Sequence, residues 1–173
     1  MSDTLAIAAT TASLANLLSA PLAAAEPATR VTMLAPASPA LAASNPVVNL
    51  HLLAAEPDPA TRLPSRRGGT PAPVPLRLTY LISCHGDAAR LVPQRLMGAV
   101  AGALHAQPLL TAALIASAIA HTPWLAGAGL AGAAEPLRVS PVSLGAERMA
   151  ALAATVGAPG LTGLVYEVSP VPL

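Results

Sequence analysis

The amino-acid sequence predicts an α/β fold of the α+β kind, with a mixed sheet of about four to five strands flanked by helices. Two periodicities lead to this prediction. Some segments place apolar residues at every second position, as strands do, and others place them every three or four positions, as helices do. The chain has 173 residues, the length of one ordinary domain. We therefore interpret residues 1–173 as a single domain that can bury a core.

Four segments have apolar residues at helical spacing. The first begins at Ser2 and Asp3, because a short side-chain oxygen can accept the free backbone amides of a first turn. It is predicted to end at Pro21. The second has Pro93 in its first turn, where proline is tolerated, and is expected to be the longest. The predicted helices after the first cover Ala88–Ala106, Leu109–His121 and Gly145–Val156.

Strand signals occur between these helices. The clearest lies in the segment that ends at Ser83, where Leu78, Tyr80 and Ile82 share one face of the strand. The predicted strands are Arg30–Leu34, Val47–Leu53, Leu76–Ser83, Leu137–Ser140 and Leu161–Val168. The glycine- and alanine-rich segment Gly127–Ala134 is predicted to be a flexible connection.

Residues 54–75 differ in character, since they include six prolines, two adjacent glycines and the arginines Arg62, Arg66 and Arg67. Because proline lacks a backbone N–H and fixes φ, this segment cannot form a packed helix or a central strand. We interpret it as a long mobile loop, a kind of segment that is usually functional or disordered.

The arginines of this loop have two interpretations. In the first, they belong to a solvated loop that keeps an apolar protein soluble. In the second, the segment is a docking loop, and its arginines pair with carboxylates of a neighbouring subunit. Arginine suits that role because its planar guanidinium group binds a carboxylate through two hydrogen bonds.

The composition limits the possible partners. Hydrophobic residues make up 54% of the chain and charged residues only 10%, whereas charged residues are roughly 25% of an average domain. Part of the surface is therefore expected to be covered by a partner or by further copies of the chain. The alternative is that alanine, a weak hydrophobe, accounts for both figures. A net charge of +1 and an aromatic content of 2% argue against nucleic-acid binding.

Cys84–His85 is the only pair of residues that suggests nucleophilic catalysis. Neighbouring residues of a strand point to opposite faces, so the two side chains are poorly placed to share a proton. The other histidines, His51, His105 and His121, are isolated and lack the spacing of a metal site. The sequence therefore predicts no enzyme, no cofactor and no metal. A small thiol enzyme that uses Cys84 remains the alternative.

Two apolar segments raise the question of a membrane. Residues 5–25 end in a sequence similar to a signal-peptide cleavage site, but the chain begins Met-Ser-Asp, where a signal peptide carries basic residues. Residues 96–120 are interrupted by Pro108. We expect a cytoplasmic protein without membrane insertion, and the single Cys84 agrees with a reducing compartment. The alternative is a small secreted domain that loses its first 25 residues.

Several segments, in this order and spacing, resemble one protein family. They are NPVVNLHLL at 45–53, PLRLTYLIS at 75–83, LMG at 96–98, LHAQPLL at 104–110, LRV at 137–139 and YEVSPV at 166–171. The family comprises the cap, or tail-terminator, proteins of extracellular contractile injection systems. These are phage-tail-like particles of the Photorhabdus virulence cassette and antifeeding prophage type.

The resemblance implies a tail-terminator fold that assembles as a homohexameric ring. Such a ring sits on the end of the inner tube and the contractile sheath, stops their growth and holds the last layer of the sheath. The chain departs from the family pattern at two places. Ser83–Gly86 replaces a polar-aromatic turn, and Gly157–Gly163 is glycine-rich where an aromatic residue and an arginine are usual.

A cap subunit needs contacts with its neighbours, and we predict them at the residues Arg62, Arg66, Arg67, Glu167 and Val168. Exposed strand edges pair readily with another chain. The last strand, or the tail after Glu167, is therefore predicted to join the sheath or a neighbouring cap subunit. Deletion of residues 169–173 is then expected to leave the fold intact and to prevent capping.

Overall fold

The computed structural model describes residues 3–42, 45–58, 75–133 and 135–173. The strands are β1 (Arg30–Thr32), β2 (Val47–Pro57), β3 (Pro75–His85), β4 (Leu109–Leu110), β5 (Leu137–Val142) and β6 (Gly163–Pro172). The α-helices are α1 (Ala6–Ala25), α2 (Val92–Ala106), α3 (Ala112–Ala120) and α4 (Ala146–Thr155). Short 3-10 turns cover Pro39–Leu41, Pro123–Leu125 and Leu130–Gly132.

The strands form one sheet in the order β1-β2-β3-β6-β5-β4. Neighbouring strands are antiparallel, except that β1 runs parallel to β2. The predicted α+β architecture with a mixed sheet is thus confirmed. The sheet has six strands in the described residues instead of four to five, because Leu109 and Leu110 pair with the beginning of β5.

The core lies between one face of the sheet and the helices α1, α2 and α3. The strands place alternate residues on this face, as predicted for β3, where Leu78, Tyr80 and Ile82 are all fully buried. Helix α1 packs against both α2 and α3 and contributes Leu14 and Leu18 to the same core. Removal of this apolar surface from water is the main force that holds the helices to the sheet.

Helix α1 continues through Pro21 to Ala25, so the predicted end at Pro21 is wrong. A proline inside a helix removes one backbone hydrogen bond and costs about 3 kcal/mol. Leu18 and Leu22, on either side of the proline, are both buried, and burial of a leucine side chain stabilises by about 1.5–3 kcal/mol. Burial of these side chains against other elements therefore stabilises α1 enough for the helix to continue beyond Pro21.

The N-cap residue of α1 is Leu5, without a side-chain cap, so Asp3 is not the cap that the sequence predicted, and Ser2 lies outside the described residues. Asp3 Oδ1 accepts a hydrogen bond from the Leu5 N–H at 3.1 Å, and the Asp3 carbonyl accepts from the Ala6 N–H at 3.0 Å. Within the described residues, α1 is also the one helix that is long and apolar enough to cross a membrane, by length and composition alone. A core helix meets the same criterion, and Leu14, Leu18 and Leu22 place α1 in the core.

Helix α2 begins at Val92, four residues after the predicted Ala88, and α1 is the longest helix instead of α2. The residue before α2, Leu91, has a positive φ of 54°, which is incompatible with a helix that starts earlier. Pro93 lies in the first turn, as predicted.

The segment after Pro108 also differs from the prediction of one helix. Leu109 and Leu110 form β4, and α3 begins only at Ala112. Thr111 provides the N-cap, and its Oγ1 accepts a hydrogen bond from the Leu114 N–H at 3.4 Å. The apolar residues of this segment therefore belong to two elements, the two-residue strand β4 and the short helix α3.

Two segments predicted to be irregular contain regular structure. The proposed loop over residues 54–75 is shorter at both ends, because β2 extends to Pro57 and β3 begins at Pro75. Positions 59–74 lie outside the described residues. The predicted flexible connection Gly127–Ala134 contains a 3-10 turn, which buries Leu130 in the core.

The glycine-rich departure from the family pattern has a structural reason at Gly163, the first residue of β6. A Cβ atom at this position would lie 2.7 Å from the Ile82 carbonyl oxygen of β3. Cβ atoms do not approach backbone atoms so closely. Strand β6 can therefore begin beside β3 only where this residue has no side chain.

The hydroxyl of Tyr80 provides a test of this packing. Thr11 Oγ1 donates to the Ile7 carbonyl at 3.0 Å, so the Tyr80 hydroxyl, 2.8 Å from Thr11 Oγ1, is the donor of the second bond. We expect Thr11→Val to leave this buried donor without an acceptor and to lower the free energy of unfolding by about 1–3 kcal/mol. Urea denaturation measures the change.

The matched control for Thr11→Val is Thr155→Val. Thr155 makes the same type of bond to a carbonyl four residues earlier, at 2.9 Å from Ala151, but lies on an exposed helix. Its replacement is expected to change the free energy of unfolding by no more than about 0.5 kcal/mol. Equal losses in the two variants would contradict a special role for the bond between Thr11 and Tyr80.

Candidate interaction surfaces

Cys84, the residue of the thiol-enzyme alternative, lies in β3 and belongs to the hydrophobic core. Its side chain is buried, and this burial raises the pKa of the thiol to about 12. A nucleophilic cysteine needs the opposite environment, which lowers the pKa and exposes the sulfur. The position of Cys84 therefore argues against its use as a nucleophile.

His85 lies on the opposite face of β3 from Cys84, as predicted, and contacts Ser83 instead. Ser83 Oγ and His85 Nε2 are 2.9 Å apart, and burial lowers the pKa of His85. Although this is a hydroxyl beside an imidazole, the Ser83 side chain is almost completely buried. The described residues contain no group of three or more histidine, cysteine or acidic side chains that could hold a metal ion.

A polar cluster lies on the face of the sheet turned away from the core helices, where β2, β3 and β6 run side by side. Arg77 donates to Asp58 Oδ1 at 2.9 Å, and its Nε lies 3.8 Å from Glu167 Oε2. The Asp58 side chain is 3% exposed, whereas that of Glu167 is 33% exposed. An intermolecular contact of Glu167 stays a prediction. A partner that binds the Glu167 carboxylate would do so while Arg77 contacts the same carboxylate.

Val168, the other predicted contact residue of β6, is fully buried in the core. Its neighbours are Leu78 on β3 and Val139 on β5, so the last strand lies inside the sheet and not at an edge. The Val168 side chain thus packs within the chain itself, and a subunit contact of this residue stays a prediction. Val171 is fully buried as well. Deletion of residues 169–173 would remove a core side chain, which corrects the expectation that the fold stays intact.

The three arginines of the proposed docking loop, Arg62, Arg66 and Arg67, lie outside the described residues. Both interpretations of these arginines, a solvated loop and a docking loop, therefore stay predictions. The strands on either side are antiparallel neighbours, with Pro57 paired to Leu76. The segment between them consequently starts and ends at the same end of the sheet.

The two margins of the sheet differ in their capacity to pair with another chain. At one margin β1 pairs with only three residues of β2, and beyond Asn49 the described residues place no strand beside β2. At the other margin β4 covers only the beginning of β5, and the part of β5 beyond it includes Pro141. Proline has no N–H to donate to an added strand. The β1 margin is therefore open to pairing with a further strand, and the β5 margin, which we call blunted, offers fewer backbone donors for such pairing.

An open groove of about 370 Å³ lies beside β1. One wall includes Val31 and Met33, and the opposite wall is formed by α1 and by the segment from the end of α3 to Trp124. Trp124 is 66% exposed and Met33 51% exposed. The groove thus carries two large hydrophobic side chains that a monomer leaves in contact with water.

Sequence reasoning missed this groove. One signal was available, since Trp124 is the only tryptophan in a chain with 2% aromatic residues, and tryptophan is enriched at interfaces. The groove brings together residues 12–22, 29–33 and 118–124. No local pattern in the sequence connects these three segments.

Comparison with known proteins finds one matching family and several similar folds. The family model described as the Pvc16 N-terminal domain matches residues 9–173. No curated protein matches the sequence significantly.

Two structures solved by cryo-electron microscopy have a similar fold. One is the sheath/tube terminator of an extracellular contractile injection system, PVC, in the extended state (TM-score 0.58, 19% sequence identity). The other is the tube-terminating cap of the anti-feeding prophage (TM-score 0.59, 18% identity). Each match covers 91% of this chain and 54% or 53% of the solved chain, so this chain spans about half the length of those terminators. At such identity the likeness establishes the fold.

The buried thiol leads to a prediction about reactivity. Because the pKa of Cys84 is about 12, the fraction present as thiolate at pH 8 is very small. We expect a disulfide reagent such as Ellman's reagent to label the folded protein on the order of a thousandfold more slowly than the urea-unfolded protein. Labelling of the folded protein within seconds at neutral pH would contradict this prediction and revive the thiol-enzyme alternative.

Proposed function

The chain belongs to the family of Pvc16 N-terminal domains, and from this we propose that it is a structural subunit of the cap, or tail terminator, of a contractile injection system. The observation that carries the proposal is the family match over residues 9–173. The fold shared with a sheath/tube terminator and a tube-terminating cap supports it. The proposed role is assembly without catalysis, which agrees with the burial of Cys84.

We propose that copies of the subunit form a ring, six-fold as the resemblance implies. The ring would sit on the end of the inner tube and the sheath in the cytoplasm, contact both proteins and end their polymerisation. Two properties of the chain support such contacts. Charged residues are only 10% of the chain, and Trp124 and Met33 are exposed. Interface cores are depleted in charged residues and enriched in aromatic residues and methionine.

A ring of identical subunits requires two different contact surfaces on each copy, because every subunit meets its neighbours head to tail. The chain has different structures at the two ends of its sheet, with an open β1 margin and a blunted β5 margin. This asymmetry supports head-to-tail association over a symmetric dimer, which would use one surface twice.

The capping role is tested by the length of the particles. Expression of the tube, sheath and baseplate proteins without this chain is expected to give tubes and sheaths of variable length, because nothing ends their growth. Restoring the chain is expected to give a narrow length distribution with a closed end, measured by negative-stain electron microscopy. The buried-thiol variant Cys84→Ala serves as the control and is expected to restore the length as well as the original chain does. Identical length distributions with and without the chain would refute the proposal.

Ring formation is tested by molar mass. A ring of six subunits of 17.1 kDa has a mass of about 103 kDa. We expect light scattering to detect this species at high protein concentration or after addition of tube ends, together with ring-shaped particles in electron micrographs. A monomer of 17.1 kDa under both conditions would contradict the ring.

A further inference from the structure

The segment that joins β1 to β2 lies against the face of the sheet that is turned away from the core helices, which we call the outer face. We call residues 36–42 of this segment the strap. The segment is fixed at its beginning, because the side chain of Asn49 in β2 bonds both the N–H and the carbonyl of Leu34. The strap itself contains a 3-10 turn that buries Leu41.

Apolar side chains are buried on the outer face, although the core helices lie on the other side of the sheet. Leu81 of β3, its partner Val165 on β6, and Val47, the β2 partner of His85, are all buried. These three residues do not belong to the main core cluster. The outer face therefore has a second, smaller apolar area, and the strap is one of the segments that lie over this face.

His85 lies between the strap and the residues that follow α4. Its side chain lines an open cavity of about 530 Å³ together with the strap, the beginning of α2 and residues 157–162. Leu41 and Ala42 of the strap line a second cavity with His85. The two walls approach each other closely, since a Cβ atom at Gly157 would lie 3.6 Å from the Ala37 Cβ.

Ser83 favours the neutral form of His85. Ser83 Oγ lies 2.9 Å from His85 Nε2, and within the part of the chain that the structure describes this hydroxyl has no other hydrogen-bond partner. A buried hydroxyl whose hydrogen lacks an acceptor is destabilising. The Ser83 hydroxyl therefore donates to Nε2, which requires a neutral imidazole with its proton on Nδ1.

The segments around His85 are uncharged. The strap, residues 157–162 and the pair Pro93–Gln94 at the beginning of α2 contain no titratable side chain. On β2 the partner of His85 is Val47. Within β3 the neighbouring Cys84 belongs to the core, and its thiol is neutral because burial raises its pKa to about 12. None of these groups can compensate a positive charge on the imidazole.

One carboxylate, that of Asp87, lies at the second cavity. Its Oδ1 accepts the Ala89 N–H at 2.9 Å. Among the described residues, the ion pairs do not include one between Asp87 and His85. Asp87 is therefore engaged with the backbone of the turn before α2 and does not neutralise a charged His85.

Protonation of His85 disturbs this arrangement. Protonated Nε2 becomes a donor, so the Ser83 hydroxyl loses its acceptor, and the new charge lies among neutral groups. Burial lowers the pKa of His85 below its ordinary value of 6.5. The stability that depends on neutral His85 is thus complete above the ordinary pKa and is lost as the pH falls through the lowered pKa of the folded protein.

From this geometry we propose that His85 is an acid-sensitive latch, which keeps the strap on the outer face when it is neutral and releases the strap when it is protonated. The charged imidazole gains hydration by moving into the cavity, and this movement displaces Leu41 and Ala42. Release of the strap exposes the outer face to water. The inference goes beyond the proposed function, since it concerns the subunit alone and requires no partner.

The amide of Leu34 reports the position of the strap. Its N–H is bonded to the Asn49 side chain at 2.8 Å, so it exchanges with solvent only when the segment leaves the sheet. NMR of the full chain follows this amide and the His85 ring from about pH 8 to about pH 5. We expect the protection factor of Leu34, corrected for the intrinsic pH dependence of exchange, to fall at least about threefold as His85 titrates. Ile82, inside the sheet, is expected to keep its protection.

Three variants separate His85 from other groups. His85→Gln can still accept from Ser83 but does not titrate, and it is expected to keep Leu34 protected at about pH 5. His105→Gln is the matched control, because His105 is exposed in the last turn of α2, and it is expected to respond to pH as the unchanged protein does. Ser83→Ala removes the hydroxyl donor and is expected to raise the pKa of His85 toward 6.5.

Three results would overturn the latch. A His85 ring that titrates at or above its ordinary pKa of 6.5 would show that protonation costs the folded protein nothing. Equal losses of Leu34 protection in the unchanged protein and in His85→Gln would assign the response to another group. A Leu34 amide that stays protected at both ends of the pH range would show that the strap remains on the sheet when His85 is charged. The first and third results need only the unchanged protein, so they decide the question even if a variant fails to fold.

Discussion

A single buried amide, the side chain of Asn49, fixes the edge strand β1 to the rest of the sheet. Asn49 Oδ1 accepts hydrogen bonds from the Leu34 N–H at 2.8 Å and from Thr32 Oγ1 at 2.9 Å, and its Nδ2 donates to the Leu34 carbonyl at 3.0 Å. A strand of three residues has few ladder bonds, each of which contributes only about 1 kcal/mol. The Asn49 bonds hold the chain on both sides of Met33, so the position of the groove wall depends on them.

Charged residues are few, and several of them join elements of the fold. Arg95 of α2 donates to the Ala25 carbonyl at 2.6 Å and to Glu26 at 3.0 Å, which ties the end of α1 to the beginning of α2. Arg77 and Asp58 similarly connect β3 with the end of β2. Several of the few charges of the chain therefore serve contacts between its own elements.

The alternation of β3 could be predicted because strand periodicity is a local property, repeated over many residues around Tyr80. Other features depend on distant contacts. Leu109 and Leu110 form a strand of two residues, which is too short for any periodicity, and Pro21 stays in its helix because Leu18 and Leu22 are buried by other elements. The central place of β6, which buries Val168, follows from pairing with strands far away in sequence. The general α+β fold was therefore predictable, while the interaction surfaces were not.

The difference between the margins of the sheet gives the subunit a direction. A building block with two open edges can be extended from either side and supports unlimited growth. This chain has one edge that offers backbone groups and another in which Pro141 removes a donor. The two ends of the sheet are therefore not interchangeable, and a chain that pairs with one end meets different groups from a chain that pairs with the other. In the terms of polymer chemistry the subunit is a building block with two unlike ends, and one imino acid in β5 contributes to the difference between them.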